Sequence, residues 1–140
     1  MAKFVLDAAL DLALEHIRMG TAAPGGAGNA VKMIVSNATV KSAVKFVSYQ
    51  GASHGWNLAS ATLASTDFVI GDGDVSGRKF AVAQQANLDV VMSQTTATAS
   101  EIVLTANSLV LLKTTCTGQL LTNGNTVTVP TFDDEIADAA

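Results

Sequence analysis

The sequence predicts a mainly β fold, an antiparallel sandwich or barrel with one N-terminal α-helix. Three observations carry this. From residue 66 onward the chain alternates short runs rich in Val and Thr with turn-forming clusters of Gly, Asn, Asp and Ser. Such runs at regular spacing read as antiparallel strands. Its first nineteen residues carry a different, helical period. At 140 residues it is one domain, long enough to bury a core without disulfides or metals.

Residues 3–19, KFVLDAALDLALEHIRM, space Phe4, Leu6, Leu10, Ala13, Leu14 and Ile17 at two to four, with Asp7, Asp11, Glu15 and Arg18 mostly on the other side. Acidic residues lie toward the start and Arg18 near the end, as the helix dipole favours, and Gly20 stops the run. The helix has no Lys-rich polar face of the kind that settles on a membrane, so its stripe suits a core or a partner. Residues 20–30, GTAAPGGAGNA, are a Gly- and Pro-rich joint, and residues 31–140 form the β body.

In that body VKMIV (31–35) is a buried strand. Residues 36–49 fit a short helix or turn and then a strand, and 50–65 are loop-like. DFVI runs into the turn GDGDVSG. KFAVA and LDVVM are strands joined by QQAN, and SQTTATAS is a polar connection. EIVLTA and SLVLLKTTCTG flank Asn107 as a hairpin. An Asn-Gly turn opens the last strand, whose Thr126, Thr128 and Thr131 alternate with Val127 and Val129. Pro130 lacks a backbone donor, so this strand is an edge or bulges there.

The chemistry of sites is sparse. Asp72, Asp74, Ser76 and Gly77 match the first half of a calcium loop, but its twelfth position, a bidentate Glu in such loops, is Ala83. Asp and Gly there are what a turn uses, so the stretch reads as a polar turn and no metal is expected, with a weak, partial cation site at Asp72, Asp74 and Ser76 as the alternative. Cys116 is the single cysteine and reads as a small buried residue; no disulfide or zinc spacing exists. Neither His16 nor His54 lies in a catalytic frame, and no nucleophile elbow is present, so neither catalytic residues nor a cofactor are expected. Trp56, in a glycine-rich loop, either plugs the end of the β body or anchors a contact. Asp133, Asp134, Glu135 and Asp138 read as a solvated or partner-facing acidic tail.

Charge narrows the partners. Net charge is −4, and only 14% of residues are charged against 49% hydrophobic. A surface this poor in charge suits packing against other subunits. The scattered Lys and Arg form no basic patch for nucleic acid. No apolar run is long enough to span a membrane. Lys3 followed by Asp7 and Asp11 does not read as a signal peptide, which predicts synthesis in a cytoplasm.

Three stretches together, LDAALDLALEHI, STDFVIGDGDVSGRKFAVA and LLKTTCTGQLLTNGNTVTVPTFDDEIADAA, resemble a family of small virion proteins of tailed bacteriophages. The likeness covers the N-terminal helix and residues 66–140, and it looks nearest to the jelly-roll cement proteins of short-tailed phages. It implies a jelly-roll-like body on the outer capsid surface of the virion. The implied partners are the major capsid protein and other copies of itself, as a dimer or trimer. The implied role is to cement adjacent capsid subunits without catalysis. Interface candidates are then Phe4, Leu10, Leu14, Ile17, Trp56, Asp133, Asp134 and Glu135. Two rivals fit the same sequence: a displayed carbohydrate-binding module built on Trp56 and the 72–76 turn, and a head–tail completion factor.

Overall fold

The computed structural model describes residues 7–18, 31–37, 57–106 and 109–136. The chain is mainly β, with antiparallel pairing throughout and one short N-terminal helix. In order these are α1 (Asp7–Arg18), β1 (Val31–Ser36), β2 (Asn57–Leu63), a 3-10 turn (Ser65–Asp67), β3 (Phe68–Asp72) and β4 (Arg78–Val82). There follow β5 (Gln85–Asp89), β6 (Thr96–Ala106), β7 (Leu109–Thr122), β8 (Thr126–Val129) and β9 (Phe132–Ile136). They pair as a four-stranded sheet β2-β1-β6-β7, a three-stranded sheet β3-β4-β9 and a two-stranded sheet β5-β8.

Alternation along the strands sets the core. Val31, Met33 and Val35 of β1 enter one apolar cluster with Leu58 and Leu63 of β2, and with Leu104 and Leu121 of β6 and β7. Phe68, Phe80, Val82, Val127 and Val129 complete it from the two smaller sheets. The rings of Phe68 and Phe80 meet at 5.9 Å and 55°, a tilted geometry that adds about 0.5–1.5 kcal/mol to plain burial. Ile34 points the other way and packs with Val103 and Val110 on the reverse face of the large sheet. That reverse face also buries Glu101, whose Oε1 lies 2.8 Å from Lys113 Nζ, while its Oε2 has no hydrogen-bond partner among the described residues.

Several expectations are corrected. Residues 57–63, expected as loop, form β2 against β1, and the small side chains of NLASATL hid the strand. Residues 96–100, expected as a connection, begin β6, where exposed Thr96 and Thr98 alternate with buried Ala97 and Ala99. QQAN is no linker. β5 starts at Gln85 and takes Asn87 through a left-handed φ of 55°, at a bulge between Gln85 and Leu88. The strand expected through Met92 ends at Asp89. Val90 and Met92 still enter the core, held by Val90 N donating to Asn125 O (2.8 Å) and Met92 N to Asn123 Oδ1 (3.1 Å). The expected strand or helix within 38–49 lies outside the described residues.

Other expectations match. β6 and β7 pair up to Ala106↔Leu109, on either side of Asn107 and Ser108. The Asn-Gly turn joins β7 to β8, with Gly124 at φ 86° and Asn125 N donating to Thr122 O at 3.1 Å. At Pro130 the last strand breaks and changes sheets. β8 pairs with β5 and β9 with β4, so Val129 faces Gln85 and Phe132 faces Val82. The links 83–84 and 130–131 thus bend side by side, and a two-stranded ribbon turns one corner between sheets.

Candidate interaction surface

The turn GDGDVSG is built by its glycines and by ion pairs. Gly77 sits at φ 75°, where side-chain-bearing residues are strained, and Gly73 N donates to Gly77 O at 3.0 Å. A Cβ on Gly73 would strike the Ser76 carbonyl and lie 2.6 Å from Glu135 Oε1. Asp74 N donates to Glu135 Oε2 at 3.0 Å, which ties the turn to β9.

Both aspartates of the would-be calcium loop already hold a cation. Arg78 donates to Asp72, and its Nε and Nη2 reach Asp11 of α1 at 2.7 and 3.3 Å. Lys79 donates to Asp74 and stands 3.4 Å from Asp133. The hydrogen bond to Asp11 is the main cause raising the Arg78 pKa, and partial desolvation opposes it. For Lys79 the bond to Asp74 comes first, then desolvation opposing it, then the bond to Asp133. The segment is a braced polar turn. Among the described residues no group of three or more His, Cys, Asp or Glu is placed to hold a metal ion.

The helix packs on β4 and β3. Leu14 is 0% exposed and Leu10 is buried, while Ile17 is half-buried against the core. These three predicted interface residues are therefore spent inside the chain, because the helix stripe faces its own sheet. Among the described side chains of the helix the large apolar one left exposed is Leu12, 55% open. The acidic tail is corrected too. Asp133, Asp134 and Glu135 lie within β9, opposite Ala81, Phe80 and Lys79 of β4. Phe4, Trp56, His54 and Asp138 lie outside the described residues. Cys116 is exposed rather than buried, and desolvation, then the charge of Glu101, push its thiol pKa up.

Helix, turn and β9, distant in sequence, thus meet around one small sheet. Together with β4 they carry Asp7, Asp11, Glu15, Asp72, Asp74, Asp133, Asp134 and Glu135, eight of the chain's 12 carboxylates. Of its 8 Lys and Arg they carry only Arg18, Arg78 and Lys79. The helix, β3 and the turn expose Leu12, Val69 and Val75 in that order, the last 94% open at the tip of the turn. Sequence reasoning missed Arg78 and Lys79 as the braces, although they follow the turn directly, and Val75, which sits inside it. Chemically the arrangement suits contact: acidic, braced, with isolated apolar points. Comparison with protein families, curated proteins and solved structures finds no match to this chain.

Proposed function

We propose that this chain is a virion structural protein, a jelly-roll-like cement that binds the outer surface of a major capsid protein lattice. There it bridges adjacent subunits, alone or with further copies of itself, and steadies the DNA-filled head. The observation that carries the reading is the convergence just described. The N-terminal helix, the 66–82 segment and the FDDEI part of the C-terminal segment meet at one small sheet. There Arg78 holds Asp11 of the helix and the next residue, Lys79, holds Asp74 and Asp133 on the other face, and Leu12, Val69 and Val75 are exposed around it. Those stretches belong to the sequence that resembles phage head proteins.

The mechanism follows from that surface. Acidic groups steer the protein to a basic shell and fix its register more than they add affinity. Exposed apolar side chains supply contact area. Each contact is modest, but copies bound across a fixed lattice act together, so expansion of the shell must break many at once. Particles with and without the protein are heated, and release of DNA is followed by dye fluorescence. A lower release temperature without it is expected, and equal temperatures refute the role. Counting copies per particle separates cement, present in large number, from a head–tail completion factor, present as one ring.

A further inference from the structure

A second region, running along β7 from Thr114 and through β8, lacks charge. Each of β7, β8 and β9 ends its sheet, with one partner strand among the described residues. Their edges surround a cavity of about 330 Å³ whose floor is Val35, Ile102, Val127, Val129 and Phe132. The first four belong to the buried core, so this seam opens onto the interior of the fold. Its rim is Thr114 to Thr117 of β7.

The backbone of β7 holds the seam open. Ala99 of β6 faces Gln119 and Glu101 faces Thr115, so β7 carries two extra residues around Cys116–Gly118. At this bulge Gly118 lies close under β6, where a Cβ would come 3.4 Å from Thr98. Exposed edges are normally guarded by charges or covered, because their unpaired N–H and C=O groups template another strand. Among the described residues neither guard stands here. From Thr114 to Val129 β7, its turn and β8 contain no charged residue, and Leu120 is exposed.

We propose that this seam receives an extended, uncharged segment of a neighbouring protein chain, which adds as a strand to the edge of β7. Backbone hydrogen bonds to that edge hold it, and alternate apolar side chains fill the cavity, as in strand addition elsewhere. An edge free of charge accepts a neutral strand of Val, Leu or Thr and gives no register to a charged one. The neighbour's identity as a shell protein rests on the cementing role; the seam's readiness for a strand does not.

Cys116, the only cysteine, stands on the rim and serves as a probe. Full-length protein, free or bound to particles lacking their own copy, is labelled with a maleimide at pH 8, since the thiol ionises above its usual range. Labelling at least about tenfold slower in the bound protein is expected. Equal rates in protein that has bound overturn the strand proposal and leave cementing intact. No binding at all overturns cementing and the named neighbour together. A thiol already unreactive in the free protein overturns the proposal as well, because the seam is then filled by the chain itself. Independently, Thr117→Arg on the rim should weaken particle binding at least about tenfold at an unchanged melting temperature. Thr62→Arg, on the exposed face of β2 at the far edge of the same sheet, should not. Wild-type binding by Thr117→Arg refutes the idea; where that variant melts lower, the labelling rates decide.

Discussion

Replacing Leu14 by Ala separates a helix that belongs to the fold from one held out for a partner. A twelve-residue helix is too short to be stable alone, so α1 exists because its stripe is buried. Leu14 is fully buried in the main cluster. The substitution removes three carbons, about 2.4 kcal/mol at about 0.8 kcal/mol for each buried methylene. A cavity term is added, because a helix tied down by the Arg78–Asp11 pair cannot fully close on the gap, and the total reaches about 3–4 kcal/mol. In a domain of this size that is a fall of roughly 12 °C in melting temperature. Leu12→Ala, two residues away on the same helix but exposed, should stay within about 0.5 kcal/mol of wild type. Urea unfolding of both variants, followed by circular dichroism, measures the difference. If Leu14→Ala loses less than about 1 kcal/mol, the helix is not docked as described and the partner-facing reading of its stripe returns. If the two variants fall equally, the burial pattern itself is wrong.

Further outcomes follow from the other contacts. Leu12→Asp and Val75→Asp should leave the free protein's unfolding nearly unchanged and reduce particle binding, measured by co-sedimentation. Lys113→Ala leaves the Glu101 carboxylate buried and unpaired, and a loss of about 3 kcal/mol in urea unfolding is expected. Gly77→Ala puts a side chain at positive φ and should cost about 1 kcal/mol, read in the same assay. Lys79 has a raised folded-state pKa, so its pairing stabilises fully below the ordinary lysine value of 10.5 and is lost as pH rises through the folded value. The stability gap between wild type and Lys79→Met should therefore be flat from pH 7 to 9 and narrow above about 10.5.

How much of this was legible in the sequence depends on what each residue reports locally. Alternating Val and Thr around 126–131 state both strand and face, and Pro130 marks its break without naming the sheet change that follows. Leu10, Leu14 and Ile17 state a helical stripe, but a stripe does not say whose surface it meets. β2 and the start of β6 were masked because Ala, Ser and Thr fill them. Their burial comes from neighbours, Leu104 and Leu121 among them, and not from their own bulk. Cys116 was misplaced because its exposure comes from a bulge, defined by pairing with a strand fifteen residues away. The acidic run 133–135 looked like a tail because its partner, β4, lies some fifty residues earlier, and only the register ties Glu135 to the turn at Asp74.

The corner shared by the ribbon β4–β5 and β8–β9 has a consequence for how such a chain can change length over generations. Both backbones spend two residues on the bend, 83–84 on one side and 130–131 on the other, and pairing resumes at Gln85↔Val129, after which β5 carries one extra residue at its bulge before Leu88↔Val127. Adding or deleting one residue on one side alone would slip the register past the corner. A one-residue slip turns every side chain to the opposite face, so Val127 and Val129 would swing out and Thr126 and Thr128 in. Length at this bend can therefore drift by matched changes on both sides, or by one residue taken up in a bulge such as the one β5 already holds between Gln85 and Leu88, whereas a loop closing a single hairpin would tolerate single changes directly.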